Sequence, residues 1–255
     1  MILAQKKKPY KTIIFSIFCL TIFILGTFTA LCGGTKPALG KIDSYLDDLS
    51  RGPDTPPYLS LHYRLRYLQF KAEPLLLSAH PIVFLGDSMT DNGNWNELFP
   101  KENLVNRGIG GDTTLGIIQR LDQVIALHPP KIFLMVGTND LCYDRSIPDT
   151  LTNYDYIISR LRTDLPQTEI YIESVLPFND TIFPSRALRT NENILELNEG
   201  IQELAEKHDL PYLDITEPFT DENGRLHKSL TVDGLHLNQK GYQIWHDLIY
   251  DEVKS

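Results

Sequence analysis

From Ile82 onward, short apolar runs alternate with longer segments whose apolar residues recur at helical spacing. The runs Ile82–Leu85, Asn103–Asn106, Ile132–Val136, Glu169–Val175 and Tyr212–Ile215 have the length and content of core strands. Between them the spacing predicts helices over about 114–127, 149–164 and 190–208, and a last one over 239–252. This alternation predicts βαβ units, and so an α/β fold on a mostly parallel five-stranded sheet. Upstream, "YLSLHYRLRYLQFKA" predicts a further helix at about 58–72 that packs on the domain. Residues 32–57 are rich in Gly, Pro and Asp and read as a linker, with one short helix near Ile42–Leu49.

The first 31 residues follow a different pattern. Residues 1–11 are basic, and Thr12–Leu31 is a run of 20 residues without a charge or a polar face. At 1.5 Å per residue such a run spans a hydrocarbon core of ~30 Å. It is longer than the apolar part of a signal peptide (~7–15 residues), and no small-x-small cleavage site follows it. An uncleaved anchor is therefore expected, with secretion after cleavage as the alternative. Lys6, Lys7, Lys8 and Lys11 cluster before the span and predict the N-terminus inside and the domain, residues 58–255, outside.

Charge narrows the partners. The net charge is −9, and without those four lysines the remaining 20 Lys and Arg face 33 Asp and Glu, a balance of −13. An acidic body without a Lys/Arg cluster argues against nucleic acid. The three cysteines, Cys19, Cys32 and Cys142, make neither a disulfide framework nor a zinc pattern. Cys142 reads as a small buried residue in preference to a nucleophile.

In parallel sheets the ligand crevice lies beyond the carboxyl ends of the strands. There the chain places Gly86-Asp87-Ser88, "RGIGGDTT" (107–114), Gly137-Thr138-Asn139-Asp140 and "LPFND" (176–180), with "TVDGLHLN" (231–238) before the last helix. A serine hydroxyl needs a base, and His236, three residues after Asp233, can supply one if the carboxylate holds its ring. An oxyanion needs fixed donors, and the backbone N–H of Ser88, a glycine of Gly110-Gly111 and the Asn139 amide are candidates. Each alone has a plain structural reading: a turn, a cap or a surface histidine. The "GIGGDTT" loop lacks the lysine and the spacing of nucleotide-binding loops.

Taken in order, Gly86-Asp87-Ser88, the glycine of Gly-Ile-Gly-Gly-Asp, Gly137-Thr138-Asn139-Asp140 and Asp233-Gly234-Leu235-His236 resemble the four motif blocks of the SGNH (GDSL-type) hydrolases. The stretches "IVFLGDSMTD" and "NRGIGGDTT" look most like the branch containing platelet-activating factor acetylhydrolase catalytic subunits. Met89 stands where the family name expects Leu, a mild apolar exchange. The resemblance implies a three-layer flavodoxin-like fold without metal or organic cofactor. It implies Ser88 as nucleophile, His236 as base, Asp233 as its orienting acid, and Ser88 N–H, Gly111 N–H and Asn139 as the oxyanion hole. Asp87 is expected to serve structure by hydrogen-bonding nearby backbone. The reading is an outward-facing esterase acting on an acyl-ester small molecule, lipid or acylated glycan through an acyl-enzyme. O-acyl transfer, or a non-catalytic glycan- or lipid-binding module on the same fold, are the alternatives.

Overall fold

The computed structural model describes residues 60–72 and 80–254. The expected membrane span, the linker and its short helix fall outside these residues. Among the described residues no helix is long and apolar enough to cross a membrane.

Helix α1 (Leu61–Ala72) precedes the sheet strands β1 (Ile82–Gly86), β2 (Leu104–Gly108), β3 (Lys131–Met135), β4 (Glu169–Glu173) and β5 (Tyr212–Leu213). All neighbours pair in parallel, in the order β2-β1-β3-β4-β5. The order reverses between β1 and β3, so the crevice at their carboxyl ends is the topological switch point, the usual ligand position in such sheets. The expected parallel five-stranded α/β fold is present.

Successive residues of a strand face opposite ways, and here the two sides differ in kind. Val83, Leu85, Ile132, Leu134, Ile170 and Ile172 pack on an aliphatic core. It is closed by α4 (Thr114–Ile125), α6 (Ile147–Asp164) and α7 (Asn191–Lys207). Phe84, Phe133 and Tyr171 face the other way, with ring centroids 5.0 Å and 4.8 Å apart along the stack. Trp95 of α3 (Trp95–Leu98) and Trp245 of α8 (Gln239–Lys254) close that side, edge to face at 4.9 Å. Each such side chain contributes about 1.5–3 kcal/mol on burial.

Strand ends depart from expectation where side chains take over the ladder. The expected Glu169–Val175 strand stops at Glu173, because the Asn198 amide binds both backbone groups of Val175, at 2.8 and 2.9 Å. The expected Tyr212–Ile215 strand pairs only through Leu213, since Ile215 N–H donates to Ser174 Oγ at 3.0 Å. Conversely β2 runs on through Arg107 and Gly108, which continue the register opposite Leu85 and Gly86.

Candidate active site

Gly86 ends β1 without a left-handed turn. Its glycine is required by crowding, since a Cβ would stand 2.3 Å from Met135 O and 2.2 Å from Thr90 Oγ1. The chain then enters a one-turn helix, α2 (Ser88–Asp91), whose N-cap is Asp87. Asp87 Oδ1 accepts from Met89 N–H at 2.9 Å, the backbone role expected of it. Burial raises the Asp87 pKa to about 7, against the opposing Met89 hydrogen bond and His236 charge. Tyr242 of α8 donates to Met89 O at 2.7 Å and ties α2 to the last helix.

The residues 231–237 form a compact loop closed by a Thr231–Leu237 bridge. Asp233 Oδ1 accepts from the N–H groups of Leu235 and His236, at 2.9 and 2.7 Å. Its other oxygen lies 2.7 Å from His236 Nδ1, and His236 Nε2 lies 2.9 Å from Ser88 Oγ. A carboxylate only accepts, so the proton belongs on Nδ1, which leaves the Nε2 lone pair facing the serine hydroxyl. Burial works against the Asp233 charge, but the His236 hydrogen bond and charge outweigh it and hold the carboxyl down at about 2.

Gly111 has φ +76°, a left-handed conformation that favours glycine. The preceding Gly110 N–H is occupied, donating to Asp91 Oδ2 at 2.9 Å. The N–H groups of Gly111 and Ser88 have no acceptor among the described residues. Asn139 is carried by the short helix α5 (Thr138–Cys142) beyond β3. Its amide donates to Asp112 O at 3.0 Å and makes a longer contact of 3.4 Å with Asp87 Oδ2. The structure therefore gathers Ser88, Asp233, His236, Gly111 and Asn139 around the switch point. Cys142, at the end of α5, is a buried free thiol. Among the described residues no three His, Cys, Asp or Glu side chains converge for a metal ion.

The fold adds supports that spacing alone does not reveal. Arg120, fully buried, binds Asp112 Oδ2 at 2.8 Å and Gly86 O at 3.0 Å, joining the glycine loop to the nucleophile strand. Asp140 accepts from Thr114 N–H and Oγ1, at 2.9 and 2.6 Å, and from Arg145. Asp91 takes His62 Nε2 at 2.8 Å and Arg66 at 3.0 Å from α1, besides Gly110 N–H. Asp91 lies inside the motif-bearing stretch; Arg120 carries no local signal.

The GDSL-like Lipase/Acylhydrolase family profile matches residues 84–244. The chain belongs to this family. Rat platelet-activating factor acetylhydrolase IB subunit alpha2 is 30% identical over 167 residues, 63% of this chain and 70% of that protein. An N-acylneuraminate cytidylyltransferase of Streptococcus agalactiae is 27% identical over 176 residues, 68% of this chain. The match spans only 39% of that relative's own length. A solved structure from Streptococcus pneumonia, provisionally described as a platelet activating factor, superposes with TM-score 0.70 at 28% identity. That superposition covers 85% of this chain and 98% of the other.

Proposed function

We propose that this acylhydrolase is a membrane-anchored serine esterase facing outward, which removes short acyl groups, acetyl among them, through a covalent acyl-enzyme. The observation that carries the reading is the Asp233–His236–Ser88 relay, with contacts of 2.7 and 2.9 Å. His236 Nε2 takes the hydroxyl proton as Ser88 Oγ bonds to the ester carbon. The imidazolium so formed is held by Asp233, whose carboxyl the His236 hydrogen bond and charge keep below its usual pKa. Charge gathers on the carbonyl oxygen, where Gly111 N–H, Ser88 N–H and the Asn139 amide donate. Collapse breaks the ester bond, and His236 returns the proton to the leaving alcohol. A water then repeats the sequence on the acyl-Ser88 ester and releases the acid.

Acetyl esters are favoured because the rat relative carries acetylhydrolase in its name and matches over most of its length. The substrate's other half is an alcohol of lipid, glycan or small-molecule type. The outward placement rests on the uncharged Thr12–Leu31 run and the lysines before it. A fluorophosphonate probe should label wild-type protein and not Ser88→Ala, and hydrolysis across acyl lengths should peak at the shortest chains. The full chain should resist alkaline extraction from membranes. Labelling of Ser88→Ala equal to wild type would refute the nucleophile, and a soluble full chain with an intact N-terminus would refute the anchor.

A further inference from the structure

Arg189 is only 4% exposed and has no carboxylate partner among the described residues. Its Nε is buried without a hydrogen-bond partner. Arginine is rarely buried unless paired, and an uncompensated guanidinium is costly. Of the other enclosed arginines near the site, Arg120 pairs with Asp112, Arg145 with Asp140 and Arg66 with Asp91, while Arg107 stacks on the Phe70 ring. Arg189 has instead a bed of rings, with its Cζ 4.9 Å from the Phe183 centroid and 5.7 Å from that of Phe178. Such faces hold a guanidinium in place but leave its N–H fork unspent.

The location is what makes the unspent fork informative. On one side, Leu188 N–H donates to Leu141 O at 3.1 Å, fastening the arginine's loop to α5, which carries Asn139. On the other, Phe183 lies against the catalytic loop: a Cβ on Gly234 would be 2.9 Å from Phe183 Cβ. The guanidinium thus sits between the Asn139 helix and the His236 loop. A tight turn, with Arg189 N–H on Arg186 O at 2.9 Å and Ala187 at φ +50°, holds it inward. Burial lowers its pKa from the usual arginine value; the titratable groups facing it are Cys142, Arg186, Asp87 and Tyr143.

We propose that Arg189 is a substrate-binding residue, and that the preferred ester carries a carboxylate near the scissile bond, received by this guanidinium. A planar fork matches a carboxylate with two parallel hydrogen bonds. A single guanidinium near Asp87, in a body of net charge −13, suits a monoanion better than a dianionic phosphate. The inference deepens the esterase reading and rests on it.

The test compares 4-acetoxybenzoate with its methyl ester, in wild type, Arg189→Gln and Arg189→Lys. In Arg189→Gln the carboxylate substrate should lose at least about tenfold more kcat/KM than the methyl ester, mainly through KM, as expected for one charge-assisted contact. Arg189→Lys should recover part of that difference, since it keeps the charge without the fork. Equal losses on both substrates would make Arg189 a packing residue and overturn the proposal. Calorimetry on Ser88→Ala protein separates this from a failure of the esterase reading. There 4-hydroxybenzoate should bind more tightly than its methyl ester, and equal binding would again overturn the proposal, with no chemistry involved.

Discussion

The active site has two halves, and their carboxylates behave in opposite ways. On the sheet side, Asp87, Asp112 and Asp140 are buried, and burial raises the pKa of each, to about 7 for Asp87 and about 6 for Asp112. On the loop side, Asp233 is 40% exposed at its side chain and its pKa is lowered to about 2. The chemical group is the same and the environment differs. The buried acids spend their oxygens on backbone N–H groups, hydroxyls and arginines, and so fix the shape of the strand ends. Asp233 keeps solvent, a full charge and one oxygen for an imidazole. A charge that must stabilise an imidazolium during turnover is best placed where it already exists at neutral pH. Substitutions in the sheet half should therefore unfold the protein, and those in the loop half should silence it.

The largest effect expected is at the point where the halves meet. Ser88→Ala should fold normally and lose hydrolysis by roughly 10⁶-fold, as nucleophile deletions do in serine hydrolases. Near-wild-type turnover in a clean preparation would break the scheme. Asp233→Asn keeps the shape but no longer fixes the Nδ1–H tautomer, so kcat should fall by about 10⁴-fold with little change in unfolding midpoint. Asp112→Asn probes the other half. It strands the buried Arg120 charge and should cost about 3–5 kcal/mol in urea unfolding. A larger stability loss in Asp233→Asn than in Asp112→Asn would reverse the comparison.

Asn139 contacts Asp112 and Asp87 on the sheet side, so it tests whether a residue of that half also serves the chemistry. Asn139→Ala should lower kcat by about 10²–10³-fold with little change in KM, if its amide reaches the oxyanion. Asn139→Asp should be at least as harmful, because it replaces a donor with a negative charge. A folded Asp variant with ordinary kcat would reduce Asn139 to a turn former.

The smallest effect is on stability against pH, and its sign follows from the direction of the shifts. Glu173 is buried with Trp245 Nε1 at 2.7 Å, and burial raises its pKa to about 7. A raised carboxyl binds its proton more tightly when folded, so its contribution is complete below its unfolded pKa and is lost as pH rises towards 7. Asp87 and Asp112 act in the same sense. Asp233 acts in the opposite sense, losing its contribution as pH falls from about 4 towards 2. Tm should thus peak in mildly acidic buffer and decline by a few degrees towards pH 8. Glu173→Gln keeps an acceptor for Trp245 and should flatten part of that decline, which a thermal melt series across pH would record.

Most of the architecture was legible because strands at the centre of a parallel sheet are apolar on both faces. Ile82–Leu85 and Ile132–Val136 could hardly be anything else. The helices α4, α6 and α7 followed from periodicity, and the site blocks were legible because polar residues at strand ends stand out against such runs. Short helices escaped notice. Ser88–Asp91 and Thr138–Cys142 read as turns, since one helical turn has too few residues to show a period. Arg107 looked like loop, yet it pairs within the sheet and its guanidinium stacks 4.5 Å from the Phe70 ring. Arg189 gave no sign at all, because a buried arginine and an exposed one are the same letter.

By itself the sequence determined the class of fold, the order of the elements and the residue types available at the crevice. These depend on local apolar periodicity and on which residues end each strand. Tertiary structure alone decided that His236 meets Ser88 across 148 positions of chain, that the Gly110 N–H is consumed by Asp91, and that the Gly111 N–H and the Arg189 guanidinium have no acceptor among the described residues. Those facts depend on distances between segments remote in the chain and on which donors are already satisfied. Both are set only when the helices close over the sheet and water is excluded from the strand ends.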